Sequence, residues 1–144
     1  MIRPGCVEDI VTILEFAAPF VRQLPGPPRE PEPTFCRQYL ARFIDSPHGA
    51  LFVSETDNAV TGFICGIVTL DPFTGKLITM KSSWIVDPER KGAGLQLLDA
   101  FEAWSMKQGA ERICSSHLVG GIAVASLLER RGYVRTEIKY ERLL

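Results

Sequence analysis

The chain has no excess of either charge: 16 basic residues stand against 17 acidic ones, a formal net of −1. Nucleic-acid binders usually carry a basic excess or a basic stripe, so no nucleic-acid partner is expected. Long apolar runs are missing too. The longest, Ala59 to Leu70, is broken by Thr61, Gly62 and Gly66 and falls short of the ~20 residues a membrane helix needs, so no membrane partner is expected. Met1-Ile2-Arg3-Pro4 holds no apolar signal core, which points to a cytoplasmic protein. The four cysteines, Cys6, Cys36, Cys65 and Cys114, are too scattered for a metal knuckle or a C-x-x-C pair, and no metal is expected. Each has apolar neighbours and reads as a reduced, buried small hydrophobe. No Gly-Lys-Ser/Thr completes a phosphate loop, and no third glycine completes a dinucleotide fingerprint.

What remains is an ordinary globular balance, 46% hydrophobic and 23% charged over 144 residues. That length suits one domain spanning residues 1–144. Met1 to Arg3 reads as a short strand. Ile10, Ile13, Leu14, Ala17 and Phe20 give a helical stripe, which Pro19 should end or kink. Leu24 to Pro33 carries five prolines and reads as a stiff, extended loop. Thr34 is placed to cap a second helix, with Cys36, Tyr39, Leu40, Phe43 and Ile44 as its apolar stripe. Ala50 to Glu55, Ala59 to Leu70 and Lys76 to Val86 read as three strands of an antiparallel meander, joined at Asp57-Asn58 and at Asp71 to Gly75. A helix then carries Leu97, Leu98, Phe101 and Trp104 on one face. Arg112 to His117 reads as a strand, Gly121 to Arg131 as a helix, and Tyr133 to Leu143 as a final strand. The helix between Val86 and Arg112 makes that crossover a parallel strand pair. The expected fold class is α/β (α+β): a mixed, mostly antiparallel sheet flanked by helices.

The chemically informative stretch is Trp84-Ile-Val-Asp-Pro-Glu-Arg-Lys-Gly-Ala-Gly-Leu95. A strand runs into a glycine turn that opens a helix. Gly92 and Gly94 let backbone approach a ligand, and the helix start offers free N–H groups and a positive dipole end. Arg90 and Lys91 add charge. Such a turn suits a phosphate or pyrophosphate, although the same glycines also serve a plain bend.

Three segments together resemble one family. Ile2-Arg3-Pro4 with Glu8-Asp9-Ile10, then Val86 to Leu95, then Leu127-Leu-Glu-Arg-Arg-Gly-Tyr133 are similar, in order, to segments of the GNAT family, the Gcn5-related N-acetyltransferases, and of its short single-domain bacterial and phage-type members in particular. The resemblance implies a GNAT fold, with the strand ending at Val86 splayed from the strand starting at Arg112 and the thioester of acetyl-CoA in the gap. It implies acetyl-CoA as co-substrate, its pantetheine arm along Ile85 and Val86 and its pyrophosphate on Arg90, Lys91, Gly92, Ala93, Gly94 and Leu95. A small-molecule or peptide amine would attack the thioester directly in a ternary complex. A homodimer is left open.

Two positions depart from the family pattern. Glu89 stands where Gln or Arg is usual, and the span from Pro88 to the glycines is about two residues short; Glu89 is expected to face solvent or pair with Arg90. Leu128 stands where the family commonly has a tyrosine that protonates the leaving thiolate, and Tyr133 takes the usual Phe position. His117, whose unperturbed pKa of ~6.5 suits proton transfer, is the replacement candidate, with Ser115 or Ser116 beside it; the catalytic assignment expected is His117 and Ser116. Lys81, Ser82 and Ser83 could face the amine, although any alternating strand shows polar groups on one face. His48 reads as loop, and Trp84 and Trp104 as core or cleft wall. Glu30 and Glu32, in the proline-rich segment that would wall the acceptor site, could attract a cationic amine. The alternative function is a CoA-binding GNAT-like module with little or no turnover.

Overall fold

The computed structural model describes residues 1–89 and 93–144. Its elements are β1 (Ile2–Pro4), α1 (Asp9–Arg22), α2 (Pro33–Asp45), β2 (Gly49–Thr56), β3 (Ala59–Leu70), β4 (Leu77–Val86), α3 (Gly94–Lys107), β5 (Arg112–Cys114) and α4 (Ile122–Arg130). The strands form one sheet in the order β1-β2-β3-β4-β5. All neighbours are antiparallel except β4 and β5, which the α3 crossover makes parallel. Among the described residues no helix is long and apolar enough to cross a membrane.

The meander follows from its turns. Asp57 and Asn58 both take positive φ, 52° and 61°, the backbone a two-residue hairpin needs to match strand twist, and Asp and Asn tolerate it best after glycine. At the next turn Asp71 Oδ1 accepts from the N–H groups of Phe73 and Thr74 at 2.8 and 3.0 Å. β3 is the sheet's central strand and is covered on both sides, which explains its nearly unbroken apolar run. Phe63 and Cys65 pack with Ile10, Ile13, Leu40 and Phe43 of α1 and α2. Ile64 packs with Leu97, Leu98 and Phe101 of α3 and Leu128 of α4. Gly66 brings α3 close: a Cβ there would fall 2.4 Å from the Met80 carbonyl oxygen and 2.6 Å from the Phe101 ring.

Several expectations change. The first helix runs through Pro19 to Arg22. One intrahelical bond is lost there, and the burial of Ile10, Ile13 and Ala17 in the preceding turns outweighs it. Thr34 does not cap α2. Glu32 does, its carboxylate accepting from the N–H groups of Thr34 and Phe35 at 3.2 and 2.6 Å, with Pro33 at the first helical position where it has no donor to waste. Of the four free cysteines only Cys65 is buried, while Cys6 and Cys114 are exposed. The strand after Arg112 ends at Cys114 instead of His117. Residues 133–144 carry no helix or strand. Val134, Ile138 and Tyr140 have strand-forming alternation but stand 81%, 71% and 88% exposed; strand propensity needs a paired neighbour and a covered face, and this segment has neither. Ion pairs hold it instead, Arg135 to Glu129 and Arg29 to Glu141.

Candidate active site

Two neighbouring strands part company at the carboxyl end of the sheet. β4 and β5 pair only at Ile78↔Arg112, Thr79↔Ile113 and Met80↔Cys114, while β4 continues to Val86 against β3. Among the described residues, the edge of β4 from Lys81 to Val86 therefore has no strand beside it. A bulge marks the same point: Cys65 faces Ser83 and Gly66 faces Lys81, so Ser82 is an extra residue that bends β4 where it leaves β5.

The sides of this opening can be assigned. Ile85 is buried and Val86 partly buried; Ile85 packs toward α1 and α2, Val86 toward α3. At the far end stands the start of α3, with Ala93 as its N-cap and, among the described residues, no side chain accepting from its first N–H groups. Gly94 lies over the Trp84 indole: a Cβ on it would sit 3.6 Å from Trp84 Cζ2 and 3.8 Å from Nε1. The Trp84 Nε1–H is buried without a hydrogen-bond acceptor among the described residues. Leu95 is exposed. Arg90, Lys91 and Gly92, the remaining members of the expected anion site, lie outside the described residues. Glu89 is exposed, and its backbone N–H donates to Asp87 Oδ1 at 3.0 Å.

Ser115, Ser116 and His117 line the β5 side. Ser115 Oγ is buried and without a partner among the described residues. Ser116 and His117 are exposed. The His117 Nδ1–H donates to the Leu118 carbonyl at 2.9 Å. Lys81 crosses the opening: its Nζ donates to the Ser116 carbonyl at 2.9 Å and lies 5.9 Å from the centre of the Trp84 ring. Burial lowers the Lys81 pKa. The sequence spacing of 35 residues gives no hint of that contact, so only its place on β4 singled Lys81 out.

Two side chains are removed from proton chemistry by their surroundings. Leu128 is buried in the apolar cluster of Leu97, Leu98 and Phe101. The Tyr133 hydroxyl donates to Glu102 at 3.0 Å, and burial with that carboxylate pushes its phenol far above the ordinary value. Glu30 and Glu32 are also occupied, Glu30 by Arg22 at 2.7 Å and Glu32 by the start of α2, so neither stands ready for a cationic amine. His48 lies in an exposed turn before β2. Trp104 packs on Phe101 with ring centres 5.5 Å apart. Cys65 is buried, which pushes its thiol up to about 12 and makes it a poor nucleophile. Among the described residues no group of three His, Cys, Asp or Glu side chains is gathered as a metal site. A hollow of about 510 Å³ near Pro4, Phe43, Ala50 and Trp104 lies at the opposite side of the sheet and holds one charged side chain, Lys107, which gives it no set of groups for chemistry.

A mixed sheet in which β4 outruns its parallel neighbour β5 and ends beside the start of a helix is an α/β frame with a site at one end of the sheet. The chain belongs to the acetyltransferase (GNAT) family, whose model matches residues 15–133. No curated protein matches the sequence. Solved structures similar to it include a putative acetyl transferase from Pyrococcus furiosus, 21% identical with a TM-score of 0.76 over 100% of this chain and 99% of that one. A ribosomal-protein-alanine N-acetyltransferase from Brucella melitensis biovar Abortus is 14% identical, with a TM-score of 0.79 over 100% and 97%. An aminoglycoside acetyltransferase from an uncultured soil metagenomic sample, solved with sisomicin, is 14% identical with a TM-score of 0.72 over 100% and 95%.

Proposed function

We propose that residues 1–144 form one cytoplasmic GNAT domain that uses acetyl-CoA to acetylate a primary amine by direct attack in a ternary complex. The observation that carries this reading is the unpaired edge of β4 from Lys81 to Val86, which ends at the uncapped start of α3. An extended pantetheine arm supplies the hydrogen-bonding partner that a neighbouring strand would otherwise supply. Ile85 and Val86 hold the arm. The pyrophosphate lies on the N–H groups around Gly94 and Leu95, with Arg90, Lys91, Gly92 and Ala93 completing the cradle, because a helix start favours an anion. The amine enters past Ser116 and His117. Its nitrogen attacks the thioester carbonyl, and His117 takes the proton the nitrogen sheds.

A ribosomal-protein-alanine N-acetyltransferase and an aminoglycoside acetyltransferase are equally distant from this chain in sequence, so likeness selects no acceptor. The segment 24–33 is the proposed acceptor wall, and Arg29 ties it to Glu141 of the C-terminal segment at 2.5 Å.

A second reading, CoA binding with little turnover, has one observation in its favour: Leu128 is buried in an apolar cluster where the family commonly places a proton-donating tyrosine. One pair of assays separates the readings. CoA should raise the melting temperature, since a ligand that binds only the native state adds about 2.7 kcal/mol at a hundredfold excess over Kd. Thiol release from acetyl-CoA across a panel of amines should then find an acceptor. A Cβ on Gly94 meets only ordinary contacts, so Gly94→Ala should keep the unliganded melting temperature and reduce the CoA-induced shift. An unchanged shift would place the ligand elsewhere. A full shift without thiol release from any amine would favour the binding module.

A further inference from the structure

The parting of β4 from β5 leaves a chemical problem that the side chains around it can answer. Transfer of the acyl group expels a thiolate; the Ser115 hydroxyl, buried without a partner among the described residues, is too weak an acid to protonate it, and the other obvious donors are engaged or missing. Leu128 has no proton to give, Tyr133 is committed to Glu102, and His117 is exposed with its Nδ1–H on the Leu118 carbonyl. Lys81 is the first residue of β4 past the last rung with β5. Its ammonium reaches across the opening to the Ser116 carbonyl and forms no ion pair with a carboxylate among the described residues. Two of its three N–H groups have no acceptor among those residues.

We propose that Lys81 donates the proton taken up by the departing sulfur, an inference that rests on the acyl-transfer reading above. The amine nitrogen bonds to the thioester carbonyl carbon and the carbon–sulfur bond breaks. The sulfur keeps that electron pair and takes a proton from the Lys81 ammonium. The proton shed by the amine nitrogen passes through His117 to water, and Lys81 regains a proton from water. Amine and thioester become amide and thiol, with charge balanced.

The groups facing Lys81 agree with this role. The Trp84 ring lies beside it on β4, and the Ser116 carbonyl lies across the opening. Cys65 on β3 is the charge-bearing group that would raise the lysine if ionised. Its thiol is pushed up to about 12, so it is neutral at pH 7. Burial then prevails and lowers the Lys81 pKa, which makes the ammonium a readier proton donor to sulfur.

The test uses the full chain with acetyl-CoA and the amine that the unmodified protein acetylates fastest. Lys81→Met should lower kcat by roughly 10²-fold or more. It should leave the CoA-induced thermal shift intact and remove the alkaline fall of the pH–rate profile. Lys81→Arg keeps a charged donor for the Ser116 carbonyl, but a guanidinium does not release its proton at these pH values, so it should stay slow. Full turnover in Lys81→Arg, or in Lys81→Met with an unchanged pH profile, would reduce Lys81 to a strut and overturn the proposal while acyl transfer stands. Absence of both CoA stabilisation and thiol release in the unmodified protein would overturn the acyl-transfer reading, and this role with it.

Discussion

The two outer strands of the sheet are equally short, three residues each, and they close it in opposite ways. At the β1 edge the Arg3 guanidinium forks onto both carboxylate oxygens of Asp9 at 2.8 and 2.9 Å and reaches Glu55 at 2.7 Å. Asp9 also accepts from the Cys6 N–H at 2.8 Å. Strand, helix start and neighbouring hairpin are thereby locked by fully used charges. At the β5 edge the strands separate after three rungs, and one uncompensated ammonium, Lys81, crosses the gap. Charges paired on every side stabilise; a charge left with spare donors is available to a ligand. The difference assigns stability to one edge of the sheet and chemistry to the other.

The largest effect should come from breaking the closed edge. Arg3→Met would leave Asp9, only 7% exposed, without its counter-charge, at a cost of about 3 kcal/mol. Urea unfolding would measure it. Lys81→Met, by contrast, removes no ion pair and should leave the unfolding midpoint unchanged, so equal losses at both edges would abolish the distinction.

Acid titrates the same edge. Arg3 holds the Asp9 carboxyl down to about 2, below its value in the unfolded chain. The unfolded state therefore binds the proton first as pH falls, and stability that is complete above about pH 4 is lost between pH 4 and pH 2, on the order of 2 kcal/mol. Asp9→Asn should flatten that limb in melting temperatures taken from pH 7 to pH 2.5. An identical acid limb in the variant would move the titration to another group.

The smallest effect concerns the floor of the open edge. Leu128→Tyr would restore the family's hydroxyl, but Leu128 is packed among Leu97, Leu98 and Phe101. The extra ring atoms should cost about 1–2 kcal/mol by overpacking, and turnover should not rise. A stable, faster variant would show that the cluster can open and would weaken the case for Lys81.

Much of this molecule is legible before folding is considered. The bounds of β3 coincide with the apolar run Ala59 to Leu70, because a strand covered on both faces over most of its length leaves few polar positions. The Asp57-Asn58 hairpin is equally local. The segment after Tyr133 misleads for the complementary reason: its alternation is local, whereas pairing is not. The capping of α2 by Glu32 hid behind Thr34, since either residue type can cap and only the path of the proline-rich loop selects between them.

The sequence by itself determined the order of elements as far as α4 and the parallel crossover through α3. These depend on periodicity, turn chemistry and chirality within a few tens of residues. Tertiary structure alone decided where β4 and β5 separate, that Ser82 is extruded as a bulge, and that Arg3 meets Glu55 while Lys81 meets Ser116. Those contacts join residues 52 and 35 positions apart. They arise from strand register and from the close approach of α3 over Gly66, which no local pattern encodes.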